Sequence, residues 1–262
     1  MRRIGWLALI LGLAVGSAAA QETAARPVLW LRVEGALTPV VADYLRRGIQ
    51  TAREQGAEAL VLQLNTPGGE VNLTLRLVSL LRESPVPVVV YVAPRGAIAG
   101  SAGTLVTLAG HLAIMAPETA IGAASPVGGQ GEELPQTLSQ KVKEILKAQV
   151  RSLAERRGPE AARLAEAAVE SAKAVSASEA LAAGLIDGIA GSPEELLRLL
   201  DGRPVVVRGQ ARTLRTQGAP IVPLPMNIVE EILHRLVNPN IALILLAIGI
   251  QAILIELSSP GG

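Results

Sequence analysis

An α/β fold is predicted by two features of this 262-residue sequence. Short apolar runs alternate with stretches whose apolar residues recur at helical spacing. The third run, residues 86–92, is almost unbroken, as a strand covered on both faces of a sheet must be. With 50% hydrophobic and 18% charged residues, the chain can bury one good core and carry a membrane element besides.

The chain opens with Met1-Arg2-Arg3, an apolar run over 4–15 and Ala18-Ala19-Ala20, the three regions of a secretory signal; cleavage before Gln21 exports the body. Residues 28–33 read as a strand. Residues 39–55 read as an amphipathic helix with Val40, Leu45 and Ile49 on one face. A second strand over 59–64 ends in Asn65-Thr66-Pro67-Gly68-Gly69, and residues 71–82 follow as a helix with Leu73, Leu77 and Leu80 inward. After the strand over 86–92 comes a run of small residues, Gly96 to Thr104.

Further on, residues 141–157 read as a helix with Val142, Ile145, Leu146, Val150 and Leu153 as its buried stripe, preceded by a glycine-rich loop over 126–135. Residues 193–200 form a short helix capped by Ser192, and 204–207 a strand. Pro220, Pro223 and Pro225 mark a stiff connector to an amphipathic stretch over 228–236. Residues 241–257 are apolar apart from Gln251 and Glu256, with Asn238 and Pro239 as the helix start. Seventeen helical residues reach about 26 Å, just short of a hydrocarbon core of about 30 Å. The expected division is therefore 1–20 signal peptide, 21–210 catalytic domain, 211–236 connector and amphipathic stretch, and 237–262 transmembrane helix and tail, with the domain on the extracytoplasmic side.

Composition narrows the chemistry. A net charge of +1 without long basic runs argues against nucleic acid. The absence of cysteine and the presence of only two histidines leave no metal-ligand spacing and call for no cofactor. A strand followed by a turn nearly free of side chains exposes one hydroxyl, so Ser101 is the candidate nucleophile. The nucleophile-elbow motif itself is not met, because Ala99 stands where its first glycine belongs. His111 lies beyond the small-residue helix and His234 beside the C-terminal apolar segment, so a Ser-His-Asp triad is set aside in favour of a Ser-Lys arrangement. Gly68-Gly69, between strand and helix, lets backbone N–H groups approach an oxyanion closely, although such a pair by itself is also an ordinary turn.

The ordered segments Leu64 to Gly69, Pro87 to Val92 with Gly96 to Thr104, and Met115-Ala-Pro-Glu-Thr-Ala-Ile-Gly-Ala123 resemble the NfeD membrane-bound serine proteases, enzymes of the ClpP class related to signal peptide peptidase A. Residues 177–187 are similar to a segment that recurs late in the ClpP and crotonase superfamily. The resemblance implies a spiral of β-β-α units, a dimer or larger homo-oligomer, and substrates such as the hydrophobic C-terminal region of stomatin-like membrane proteins. It implies Ser101 as nucleophile, Lys141 as general base, and Gly69 and Ala102 as oxyanion donors, with Gly68 preceding them. Asn65 stands where an aspartate is common in the family, and Gly100 where an alanine precedes the serine.

A lysine acts as a base only when neutral, which requires desolvation or a neighbouring positive charge. The periodicity alone equally supports a solvated helix face for Lys141, with Lys143 as the reserve. A loop over 126–135 that closes on substrate would leave Ser101 and Lys141 apart in an unliganded structure. Two other functions use the same fold: a non-catalytic membrane scaffold for a stomatin-like partner, and an acyl-CoA enzyme, whose thioester substrate is absent from exported compartments.

Overall fold

The computed structural model describes residues 25–128, 132–236 and 239–258. The signal peptide expected over 1–20, the Asn238 cap and part of the 126–135 loop lie outside them.

In chain order the first half contains β1 (Val28–Glu34), α1 (Pro39–Glu54), β2 (Ala59–Asn65), α2 (Val71–Arg82), β3 (Val88–Val92), β4 (Ile98–Gly100), α3 (Ala102–Ala109), β5 (Leu112–Met115) and β6 (Ala120–Gly122). The second half contains α4 (Gln136–Ala154), α5 (Pro159–Glu170), β7 (Ala174–Ser176), α6 (Ala177–Ala182), β8 (Gly188–Ile189), α7 (Pro193–Leu200), β9 (Pro204–Val207), β10 (Gln210–Thr213), β11 (Ile221–Pro223), α8 (Ile228–Leu236) and α9 (Pro239–Ser258). Six strands pair in parallel in the order β11-β1-β2-β3-β5-β8. A smaller sheet, β4-β6-β7, pairs β4 with β6 in parallel and β6 with β7 antiparallel.

The two-residue period of the strands divides the core in two. Leu29, Leu31, Leu60, Leu62, Val88 and Val90 point to the face covered by α1 to α5. Val28, Val61, Val89 and Tyr91 point to the other, where Leu196, Leu197 and Leu200 of α7 meet Val205 and Val207 of β9. Every residue of β3 is buried, in agreement with its unbroken apolar run.

The small sheet springs from the C-terminal ends of the main strands. Thr66 bridges to Ala99, Leu37 bridges to Gly69, and the Asn65 Oδ1 accepts the Ile98 N–H at 3.1 Å. Part of the small-residue run read as a turn is thus the strand β4.

Residues 211–236, expected as a connector and an amphipathic stretch, are built into the domain. β11 adds an edge strand beside β1, with Val28 opposite Ile221. Proline is tolerated there because an edge strand leaves one side of its backbone unpaired. The buried Tyr44 hydroxyl donates to the Leu224 carbonyl at 2.5 Å and accepts the Arg32 N–H at 3.2 Å. α8 is then pinned to α1 by Arg47, whose Nε and Nη2 donate to the two carboxylate oxygens of Glu230 at 2.9 and 2.5 Å. That contact holds the Glu230 carboxyl below the usual carboxylate range.

Among the described residues no helix is long and apolar enough to cross a membrane, so the span expected near the C-terminus is not established by the structure. What the structure does show is exposure: Leu243, Ile244, Leu246, Ile248, Ile253 and Leu257 of α9 all face solvent.

Tyr44→Phe removes the joint between β1, α1 and the β11 segment, leaving the partly buried Arg32 N–H and Leu224 carbonyl without their partner. It is expected to cost about 1–3 kcal/mol, read as a lower urea midpoint with an unchanged slope.

Candidate active site

Ser101 sits between β4 and α3 with φ 51° and ψ −117°, a conformation that costs a non-glycine residue about 1–3 kcal/mol. The structure therefore places Ser101 on a strained strand-to-helix turn although the elbow sequence motif fails at Ala99. Gly103 makes room for Thr66: a Cβ there would lie only 2.6 Å from Thr66 Cγ2, whereas its 3.6 Å from the Ala99 Cβ would be an ordinary contact. The strain is held by hydrogen bonds. The Ser101 N–H donates to the Gly122 carbonyl at 2.9 Å, and the buried Thr104 hydroxyl lies 3.0 Å from the carbonyls of both Ala99 and Gly122 while accepting the Gly122 N–H at 3.1 Å. The half-buried Ser101 hydroxyl makes no hydrogen bond among the described residues.

The loop after β2 closes over this turn. A Cβ on Gly68, whose φ is +134°, would lie 2.8 Å from the Ser101 Cβ and 3.5 Å from the Ala102 N. Gly68 directs its N–H to the Thr66 Oγ1 at 3.1 Å, so it is occupied; its contribution to the site is the absence of a side chain. The exposed Gly69 N–H is free among the described residues, and the Ala102 N–H is an unpaired donor at the first turn of α3. Gly68, Gly69, Ser101 and Ala102 are thus gathered in one place.

Lys141 is not brought into hydrogen-bond contact with Ser101. It lies on the exposed side of α4, with no ion pair among the described residues. Lys143 is committed elsewhere, donating to the Glu170 carbonyl at 3.2 Å, and Lys147 pairs with Glu144 and Glu170. The helix starts at Gln136, earlier than its apolar stripe indicates, which places Lys141 in its second turn.

Neither histidine joins the serine. His111 is buried at the start of β5, where its Nδ1 accepts the Val88 N–H at 3.0 Å; desolvation, aided by the charges of Arg82 and Arg156, lowers its pKa to about 4. His234 faces a cleft of about 790 Å³ lined by Arg32, Thr38, Pro67, Met226, Arg235 and Ile241 among others. Pro67 is the lining residue nearest the serine in the chain, and its carbonyl lies 3.0 Å from where a Gly100 Cβ would be; Gly68, Gly69, Ser101 and Ala102 do not line the cleft. Residues that sequence reasoning missed are Thr66, Thr104 and Gly122, which satisfy backbone groups and carry no reactive chemistry. A Cβ on Gly122 would meet the Lys173 carbonyl at 2.2 Å.

Thr104→Val leaves the buried Gly122 N–H unpaired and is expected to cost about 1–3 kcal/mol. Gly68→Ala is expected to cost about as much from backbone strain alone; urea unfolding measures both. His111 is neutral in the fold, so its contribution is intact above about pH 6.5 and is lost as pH falls from there to about 4. The loss amounts to about 3 kcal/mol, and it is read as the difference between the stability profiles of the parent and His111→Gln.

Residues 27–203 match the family described as NfeD1b, N-terminal domain. The Membrane-bound protease PH1510 of Pyrococcus horikoshii is 32% identical over 237 residues, covering 88% of this chain and 53% of the relative. The Membrane protein NfeD1b of Bacillus subtilis is 31% identical over 268 residues, covering 98% and 56%. The chain spans about half the length of these curated relatives. Among solved structures, a lysine-to-alanine mutant of the 1510-N membrane-bound stomatin-specific protease with a substrate peptide superposes with a TM-score of 0.75 at 30% identity, over 81% of this chain and 98% of that one. A serine-to-alanine mutant of the same protease gives 0.72 at 31%, over 78% and 100%. ClpP1 of Listeria monocytogenes, with a TM-score of 0.51 at 15% identity over 64% and 94%, shares the fold. The chain belongs to the NfeD1b N-terminal-domain family.

Proposed function

We propose that this chain is a membrane-anchored serine endopeptidase of the ClpP fold, in which Ser101 is the nucleophile and Lys141 the general base. The observation that carries the reading is the strained backbone of Ser101 beside two free amides, Gly69 and Ala102. The relatives support a serine–lysine pair: a serine and a lysine were the residues replaced in the solved mutants, and the interval between them is within one residue of both the Ser101–Lys141 and the Ser101–Lys143 intervals, so the choice of Lys141 rests on the family resemblance and on Lys143 already donating to the Glu170 carbonyl.

The chemistry follows from this layout. Lys141 Nζ takes the proton of Ser101 Oγ as the oxygen bonds to the scissile carbonyl carbon, and the oxyanion accepts from the Gly69 and Ala102 N–H groups. Collapse breaks the C–N bond, the amine leaves with the proton held on Lys141, and water then hydrolyses the acyl-serine. In the unliganded protein Lys141 faces water, so an apolar peptide has a second role. Lying along the cleft, it covers the amine and brings α4 towards Ser101. An apolar segment such as the hydrophobic C-terminal region of a stomatin-like protein suits that role. The domain stands on the extracytoplasmic side, delivered by residues 1–20 and held by residues 237–262, and copies pair as dimers or larger homo-oligomers.

A second reading, a non-catalytic scaffold of the same fold, is favoured by the separation of Lys141 from Ser101. Cleavage of a hydrophobic stomatin-type peptide by the purified full chain in detergent decides between them. Ser101→Ala is expected to abolish turnover. Lys141→Ala and Lys141→Arg are expected to lower it by about 10²–10⁴-fold, while Lys143→Ala retains it. An inactive parent, or a parent no faster than Ser101→Ala, establishes the scaffold instead.

A further inference from the structure

We infer that α8 lies in the headgroup layer of a lipid bilayer, with the mouth of the cleft that Pro67 borders turned to that surface. The inference rests on the membrane-anchored reading and adds an orientation to it. A surface helix of a globular domain normally turns its apolar stripe to the core and its charges to water. α8 does the reverse. Its inward side is polar: Glu230 is held by Arg47, and the His234 Nε2 lies 2.9 Å from the Glu34 carbonyl with its Nδ1 3.4 Å from the Thr38 hydroxyl. Its outward side is apolar, with Ile228 79%, Val229 65%, Ile232 53%, Leu233 47% and Leu236 41% exposed. At 100° per residue these five side chains form one contiguous face, roughly opposite Glu230 and His234. The Glu231–Arg235 ion pair runs along its edge.

An apolar face of this kind needs a cover, and continuity identifies it. The exposed apolar surface runs on into α9, where Leu243, Ile244, Leu245 and Leu246 occupy four successive positions and so face every side of the helix. A helix apolar on every side is surrounded either by protein or by lipid, and the membrane-anchored reading on which this inference rests selects lipid. An interfacial helix sinks its apolar face about 5–10 Å into the headgroup and acyl boundary, with charged side chains at its rim reaching the aqueous edge, which suits the Glu231–Arg235 pair. Glu231, His234 and Arg235 of α8 and Ile241 of α9 also line the cleft that Pro67 borders, so this orientation sets the mouth of that cleft against the bilayer surface.

The sequence contains no cysteine, so single-cysteine variants of the full chain can be labelled cleanly. Val229→Cys, Ile232→Cys, Ile248→Cys in α9 and Glu160→Cys in α5 are labelled with a polarity-sensitive fluorophore and reconstituted in phosphatidylcholine vesicles. Some vesicles carry bromines high on the acyl chain and others near its end. Labels at 229 and 232 are expected to shift to the blue and lose most of their emission to shallow bromines but little to deep ones, while the label at 160 is unchanged. Quenching at 248 without quenching at 229 and 232 overturns the inference and leaves the anchoring intact. Absence of quenching at all four positions overturns both. Cross-linking between copies through an unquenched Ile232→Cys makes the face a contact between copies and overturns the inference as well.

Discussion

The backbone of Ser101 is the constraint on which the rest of the site depends. A non-glycine residue at φ 51° and ψ −117° returns to an ordinary conformation unless its surroundings prevent it. Here they do so from three sides. The Gly122 carbonyl holds the serine N–H, Thr104 ties the strand before the serine to the strand that carries Gly122, and the Gly68 backbone closes over the serine Cβ with no room for a side chain. The parallel sheet is the frame for this arrangement. The Asn65–Gly69 loop leaves the end of β2, the serine turn follows β4, and the Thr66–Ala99 bridge, with Thr66 N–H donating to the Ile98 carbonyl and Gly100 N–H to the Thr66 carbonyl, holds the two together.

Much of the frame could be read from residue order. α2, α7, α8 and β9 begin and end where their periodicity, prolines and Ser192 cap place them, because their signals lie within the element. β4, β6, β7 and β8, each of two or three residues, left no signal of that kind. A strand this short exists only through partners remote in sequence, as when Ala120 pairs with Ser176. β11 was hidden for a related reason. Pro220, Pro223 and Pro225 argue for a connector, and only the folded edge of β1 shows that two of its backbone positions need no partner.

The site divides in the same way. Ser101 stood out because a single hydroxyl in a run of small residues is unusual chemistry. Thr66, Thr104 and Gly122 did not, because they satisfy backbone groups that are exposed in the chain and become buried only in the fold. The elbow motif misled at Ala99: the turn forms with an alanine there, and the space that Gly103 leaves is taken up by Thr66, a neighbour remote in sequence. Lys141 came from resemblance and not from pattern, and its exposed position on α4 agrees with the pattern.

On the proposed reading, exposure of Lys141 and exposure of α8 are two sides of one physical problem. A lysine that must lose its proton needs water removed from around it, and an apolar helix face needs water removed from its surface. Both surfaces are open in the isolated chain. In the proposed orientation the bilayer would cover α8, and because α8 and the start of α9 also form a wall of the cleft, the same contact would turn that cleft towards the membrane surface. On the proposed reading, a bound apolar peptide would in turn exclude water from the far side of the site, where α4 carries Lys141. A water-soluble chain would provide no such cover, so the Ser101 hydroxyl would stay a weak nucleophile until an apolar segment is in place. Selectivity in that scheme would come from completion of the site by its substrate.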